Sequence, residues 1–127
     1  MAEHENKWLE FESPSYRLQD LGRPAVFLVP IKKLQLEIRG VTLEERLRRF
    51  LTKNFSAYSA TSIPSFGVWL DSGREIVFDE SRQYKVSFAG KERIRLLLKE
   101  LRDIAVLAGE ECIYFEAGQY ACLIWPR

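Results

Sequence analysis

Two pairs of acidic and tyrosine residues are the side chains best suited to acid–base chemistry. Glu116 lies two residues after Tyr114 at the end of an apolar run, and Asp79 precedes Tyr84 by five residues. A carboxyl group works as a general acid or base when burial or a neighbouring charge shifts its pKa toward neutrality. Glu116, Tyr114, Asp79 and Tyr84 are therefore the catalytic candidates, although acidic residues in such positions ordinarily only solvate turns and helix ends.

The two cysteines and the single histidine restrict nucleophilic and metal chemistry. His4 lies in a polar N-terminal segment, so the folded region lacks the imidazole that Ser-His-Asp and Cys-His catalysis need. Cys112 and Cys122 are too few for a zinc site, which normally takes four closely spaced ligands. We expect both to be buried apolar thiols, with a cross-strand disulfide as the alternative, and we expect no metal or cofactor.

The composition and charge argue against several classes of protein. The chain has 19 basic and 18 acidic residues, a balance that gives no strong attraction to nucleic acid or to an anionic membrane. No run reaches the roughly 20 apolar residues of a membrane span, and the first residues lack the apolar core of a secretory signal. No glycine-rich phosphate loop occurs. We therefore expect a soluble cytoplasmic protein with no membrane partner.

Two amphipathic helices are predicted from the spacing of apolar residues. Thr42 and Glu45 fit a capping box at the start of the first helix, and apolar residues recur at helical spacing between 43 and 51. The second helix covers 91–108, where leucine and isoleucine form one stripe. Gly109 is a natural stop for it, because glycine readily adopts the left-handed conformation after a last helical turn.

Extended segments are predicted between and after the helices. Alternation of apolar and polar residues places the first strand at 31–38, with an apolar lead-in at 25–29. The turn signal Asp71-Ser72-Gly73 joins the next two strands, and the polar stretch 79–83 predicts a bulge or break in the second of them. The segment 111–125 has the pattern of a final β-hairpin.

The last hairpin has more than one possible register. A three-residue loop with Gly118 in the left-handed conformation would put Phe115 opposite Gln119 and Cys112 opposite Cys122. A two-residue loop would shift this pairing. The register matters because it decides which side chains of the two strands share a face.

The order of the elements is strand, helix, strand, strand, helix, strand, followed by an extra C-terminal hairpin strand. This order resembles the ferredoxin-like superfold, an α+β two-layer sandwich with an antiparallel sheet and two helices on one face. The resemblance covers about residues 26–125. The stretches "FGVWLDSGREIVFDES" and "EECIYFE" also resemble small uncharacterised bacterial families of this fold, which implies no activity. We expect one domain at 25–127, preceded by an irregular arm at 1–24.

The last hairpin is apolar on both faces, although helices cover only one face of such a sheet. Alternation places Leu123 and Trp125 with Phe115 on one face, and Tyr120 with Tyr114 on the other. A large exposed apolar patch is unusual on a monomer, so something should cover the second face. The candidates are a second copy of the chain, a ligand, or the arm through its aromatic residues Trp8, Phe11 and Tyr16.

The leading hypothesis is a self-associating interaction module, most simply a homodimer, that buries an aromatic sheet face. The interface residues would be Trp69, Tyr114, Tyr120 and Trp125. The alternative is a small-molecule binder or enzyme with a cleft at the arm or at a dimer interface. Binding of single-stranded nucleic acid through stacking aromatics is a third possibility, although the basic-glycine-aromatic run of RNA-binding sheets is missing.

Overall fold

The structure is a computed structural model that describes residues 8–55, 57–61, 65–70, 73, 76–88, 91–118 and 120–127. For residues 57, 65–70, 76–79, 120 and 121 the description covers the backbone only. After a short 3-10 turn at Leu9–Phe11, the elements in chain order are β1 (Arg23–Pro30), α1 (Ile31–Leu34), β2 (Glu37–Ile38), β3 (Val41–Thr42), α2 (Leu43–Asn54), β4 (Ala57–Ala60), β5 (Ser65–Leu70), β6 (Ile76–Phe88), α3 (Lys91–Ala108), β7 (Ile113–Ala117) and β8 (Tyr120–Ile124).

The main sheet is antiparallel and has the strand order β4-β6-β1-β7-β8, with β5 also paired to β6. The helices α2 and α3 are the two crossovers, since each connects strands that are not neighbours. This is the ferredoxin-like arrangement with an extra C-terminal strand, β8, so the expected α+β fold class is confirmed. The strands β2 and β3 form a separate two-stranded ribbon ahead of α2.

The first strand lies earlier in the chain than the alternation predicted. The structure places β1 at Arg23–Pro30, and residues 31–34 form the helical turn α1 instead of a strand. The reason is that β1 has apolar side chains on both faces: Phe27 and Val29 are buried in the core, and Val26 and Leu28 lie half-buried on the other face, so its residue types do not alternate although its burial does. The predicted break at 79–83 is also wrong, because β6 runs unbroken and pairs first with β5 and then with β1 and β4.

Both predicted helices form, and their ends have local causes. The Thr42 hydroxyl accepts a hydrogen bond from the Glu45 backbone N–H at 3.1 Å, which caps α2. The Glu45 carboxylate does not complete the capping box, because it binds Arg48 and Arg49 instead. Gly109 has a φ of +71° and ends α3 as expected.

The core lies between the helices and one face of the sheet. Phe27 is fully buried at the centre of β1, where its ring stacks on Tyr84 with centroids 5.1 Å apart and planes at 7°. On the other side Phe27 pairs with Phe115 of β7. These residues share one cluster with the apolar stripes of both helices, including Leu47 and Leu101. Both helices therefore cover the same face.

Tyr84 makes the folded state sensitive to alkali. Its burial raises the pKa of the phenol to about 12, whereas an unfolded tyrosine ionises near 10. The folded state holds the phenol proton more tightly than the unfolded state does. The contribution of Tyr84 to the free energy of unfolding is therefore intact below pH 10 and is lost as the pH rises toward 12. We expect wild-type protein to lose about 1 kcal/mol more than Tyr84→Phe between pH 8 and pH 11.

Urea denaturation at the two pH values measures this difference in unfolding free energy. Tyr16→Phe, at an exposed tyrosine of the arm, is the matched control and should follow the wild type. Equal alkaline losses in wild type and Tyr84→Phe would contradict the expected role of the buried phenol.

Candidate functional site

The sheet face opposite α2 and α3, here called the open face, has no helix over it among the described residues. Strand register identifies its members, since Val26 pairs with Lys85 and Glu116, and Tyr114 pairs with Leu123. Residues two apart along each strand share the same face. On the adjacent strands β6, β1, β7 and β8, the described open-face side chains include Val26, Leu28, Gln83, Lys85, Tyr114, Glu116 and Leu123.

Tyr114 and Glu116 form the best-defined polar contact of the open face. The two residues are two apart on β7, and the Tyr114 hydroxyl donates to Glu116 Oε2 at 2.6 Å. This hydrogen bond raises the pKa of Tyr114, because the carboxylate favours the protonated phenol that donates to it. Glu116 Oε1 accepts no hydrogen bond from the described residues. The pair therefore presents an aromatic ring beside a carboxylate oxygen that can accept from a ligand.

Exposed apolar side chains lie next to the Tyr114–Glu116 pair on β8 and just after it. Leu123, the cross-strand neighbour of Tyr114, is 44% exposed, and Tyr114 itself is 36% exposed. Trp125, just beyond the end of β8, is 48% exposed. Large apolar side chains this exposed and this close in sequence and register are typical of a binding surface.

Charged residues of opposite sign lie on either side of β1. Val26 pairs with Glu116 of β7 and with Lys85 of β6, so the carboxylate and the ammonium belong to one row across the sheet. Adjacent strands lie about 4.8 Å apart, which puts the two backbone positions about 10 Å apart. Such a row could contact the two ends of a small polar molecule whose middle lies over Val26 and Leu28.

The other catalytic candidates do not join this pair. Tyr84 is buried on the helix-covered face and stacks on Phe27, so it belongs to the core. Asp79 lies five residues away along the continuous strand β6, about 16 Å from Tyr84. The proposed Tyr84–Asp79 neighbourhood is therefore wrong, and the Asp79 side chain lies outside the described residues.

The four proposed interface residues have different outcomes. Tyr114 and Trp125 are exposed as described above. Trp69 lies in β5 and Tyr120 in β8, and the side chains of both fall outside the described part of the chain. The backbone of Tyr120 pairs with Ala117, so Leu123 rather than Tyr120 is the neighbour of Tyr114.

The observed pairing of β7 with β8 differs from the predicted hairpin register. Ala117 pairs with Tyr120, which leaves a two-residue loop, and Cys122 pairs with Phe115 instead of facing Cys112. Neither cysteine is in a disulfide, so the cross-strand disulfide does not form. Cys112 is buried as expected, whereas Cys122 is exposed because β8 is the last strand of the sheet. Gly118 has the expected positive φ, +61°.

The described part of the arm keeps its aromatic residues at the surface. Trp8, Phe11 and Tyr16 are 49%, 52% and 52% exposed, and none belongs to the core cluster. Trp8 contacts Phe11 with ring centroids 6.2 Å apart, and the Tyr16 hydroxyl donates to the Phe11 carbonyl at 2.6 Å. His4 lies outside the described residues.

Metal-binding clusters and membrane-spanning helices are both absent from the described residues. These residues contain no group of three or more histidine, cysteine, aspartate or glutamate side chains that could hold a metal ion. Among the same residues, no helix has the length and apolar character that crossing a membrane requires.

Sequence reasoning missed Val26, Lys85 and Leu123 as members of the site. Val26 was assigned to a lead-in segment rather than a central strand, and Leu123 was assigned to the face of Phe115. A continuous apolar run between turn signals, read as a central strand, would have identified Val26. The face of Leu123 depends on a loop length that the sequence leaves open.

Comparisons with known proteins give structural neighbours without a family. No family model matches the chain, and no curated protein matches it. The fold is similar to that of a phage SAM lyase solved in complex with S-methyl-5′-thioadenosine, with a TM-score of 0.60 and 16% identity over 89% of this chain and 96% of that chain. The apo structure of phage SAM lyase gives a TM-score of 0.56 and 16% identity over 88% and 98%. At this identity, the likeness shows that the chain shares the fold of these structures.

Proposed function

We propose that the protein binds a small molecule on the open face, at the Tyr114–Glu116 pair, and that its ligand is a nucleoside thioether. The observation that carries this proposal is the likeness over nearly the whole of both chains to a phage SAM lyase that was solved with S-methyl-5′-thioadenosine. Fold alone does not assign function, so the local chemistry must also suit such a ligand.

The side chains of the open face suit the three parts of a nucleoside thioether. Aromatic rings such as those of Tyr114 and Trp125 offer stacking surfaces for a purine. Glu116 Oε1 is an acceptor for ribose hydroxyls, the role that a carboxylate commonly has in nucleotide sites. Leu123 offers an apolar contact for the thioether, beside the Tyr114 ring.

A substitution at Glu116 tests the proposed site. We expect S-methyl-5′-thioadenosine to bind the wild-type protein and Glu116→Gln to weaken that binding about 10-fold or more, because the neutral amide replaces a charged acceptor. The amide oxygen can still accept from Tyr114, so the fold of β7 should persist. Isothermal titration calorimetry measures both dissociation constants.

Glu92→Gln, at an exposed position in the first turn of α3, is the matched control and should bind like the wild type. Absence of binding by the wild type at millimolar concentration would refute the proposed ligand class. Binding that Glu116→Gln leaves unchanged would refute the open-face site.

We propose self-association as a second function of the same region. Its support is the exposure of three large apolar side chains, Tyr114, Leu123 and Trp125, at one end of the sheet. A homodimer that buries them would remove apolar surface from water at roughly 25 cal/mol per Å². This proposal keeps the hypothesis of an interaction module, and a dimer of this kind would compete with the ligand for the same side chains.

We also infer that residues 25–127 form one domain, with 1–24 as an arm, and that the protein works in the cytoplasm. One core cluster that includes Ala25 of β1 and Phe115 of β7 supports the single domain. The reduced state of both cysteines supports a reducing compartment, where disulfides are rare.

A further inference from the structure

The strand β8 forms an edge of the sheet. It follows β7 at the end of the strand order and has no second neighbour among the described residues. The chain after β8 turns toward the helices, since Arg102 of α3 donates to the Arg127 carbonyl at 3.1 Å. No strand or backbone hydrogen bond from the described part of the chain occupies the outer side of β8.

The register of the hairpin decides which backbone groups point outward. In an antiparallel pair, hydrogen-bonded and non-hydrogen-bonded positions alternate, and the pair that closes a two-residue loop is hydrogen-bonded. Ala117 and Tyr120 close the loop, so Phe115 and Cys122 form the next hydrogen-bonded pair. Ala121 and Leu123 consequently direct their N–H and C=O groups away from β7.

The edge lacks the features that usually prevent strand pairing. Natural edge strands are protected by lysine, proline, inward-pointing charge or a bulge. The sequence of β8, YACLI, contains none of these residue types and pairs with β7 without a bulge. Cys122 and Leu123 are exposed along it. Unpaired backbone donors and acceptors on an uncharged edge specify another β-strand as the occupant.

We propose that this occupant is β8 of a second copy, paired antiparallel so that Cys122 faces Cys122 across a two-fold axis. In this register all five residues of β8 pair with β8 of the other copy. The outward N–H and C=O groups of Ala121 then form hydrogen bonds with those of Leu123 in the other copy. This register brings no like charges together. The inference rests on the self-association proposed above but places the contact at the β8 edge instead of on the open face, so that two sheets become one.

The proposed register makes Cys122 a sensitive reporter. It forms a non-hydrogen-bonded pair with its copy, where Cα atoms are about 4.5 Å apart, within the range that a disulfide spans. Diamide should therefore oxidise the two thiols to a disulfide, accepting the two electrons and two protons that they lose. Cys112 is buried and should not react.

The experiment combines light scattering at about 100 µM with diamide cross-linking of the full chain. We expect a dimer that becomes disulfide-linked, and Cys122→Ser should remain a dimer without the link. Leu123→Pro should raise the dimer dissociation constant about 10-fold or more, because it removes an outward donor and leaves the bonds to β7 intact. Leu123→Val keeps the donor and should associate like the wild type.

Three outcomes decide the proposal. A wild-type monomer at this concentration would refute both self-association and edge pairing. A dimer that Leu123→Pro leaves intact, and that diamide does not link, would refute edge pairing alone and leave association through the open face. The double variant Cys122→Ser with Leu123→Cys tests the register, because the proposed pairing puts position 123 opposite position 121 and not opposite its own copy. If diamide links this variant as well as the wild type, the register is refuted.

Discussion

Phe27→Ala is expected to lower the free energy of unfolding by about 3–5 kcal/mol, the usual cost of removing a buried phenylalanine side chain. Phe27 has no exposed surface and lies at the centre of the central strand β1. Its ring stacks on Tyr84, and its backbone register places it beside Phe115. A cavity at this position removes contacts with both neighbouring strands and with the helix layer together.

Urea denaturation followed by tryptophan fluorescence measures this loss. Because a domain of this size is typically stable by about 5–15 kcal/mol, the alanine variant could be largely unfolded. Phe27→Leu keeps most of the volume and should lose clearly less than Phe27→Ala, which provides a folded comparison. Val26→Ala, the adjacent half-buried residue on the open face, is the position control. A loss at Val26 as large as that at Phe27 would contradict the assignment of the core to one face.

Glu100→Ala is expected to lower the free energy of unfolding by about 1.5–3 kcal/mol, because it breaks the polar link between α2 and α3. Glu100 accepts from Arg46 Nε at 2.9 Å and from Arg46 Nη2 at 3.0 Å, and its side chain is only 10% exposed. Asp103 adds a weaker ion pair to the same guanidinium at 3.8 Å. The hydrogen bonds to Glu100 raise the pKa of Arg46, so this guanidinium stays charged.

A double-mutant cycle of Arg46→Ala and Glu100→Ala isolates the pair from the loss of packing. We expect a favourable coupling of about 1 kcal/mol or more, since the carboxylate is nearly buried and the hydrogen bonds are bidentate. The Arg49–Glu45 pair on the exposed side of α2 is the matched comparison, and its coupling should be smaller. Equal couplings for the two pairs would show that burial does not strengthen the link between the helices.

The open face brings the proposed ligand site and the proposed dimer edge close together. Tyr114 and Glu116 lie on β7, and β8 is both the cross-strand neighbour of that pair and the edge proposed to meet a second copy. Pairing of two edges would extend the open face across the two-fold axis. The dissociation constant of Glu116→Gln and the oligomeric mass of Leu123→Pro test these two roles separately.

The sequence by itself predicted the helices and their ends, because these depend on residues close together in the chain. The apolar stripe predicted α3, and Gly109 ends it at a positive φ. The Thr42 cap forms as its spacing predicted. The Glu45 carboxylate binds Arg48 and Arg49, one turn along the same helix, instead of the Thr42 backbone N–H. The order of helices and strands was sufficient to predict the ferredoxin-like topology, because few antiparallel arrangements connect that order without crossing.

Tertiary structure decided the features that depend on contact between distant segments. The residue types of β1 do not alternate, because apolar side chains occupy both of its faces although only one face is buried, so its position could not be read from periodicity. The pairing of Tyr114 with Leu123 depends on a loop length that several registers satisfy, and one residue of slip exchanges the two faces. The sequence by itself thus determined the layers and the apolar character of the last hairpin. Only the folded sheet decided which of those side chains meet, because strand partners are set by backbone pairing across the chain.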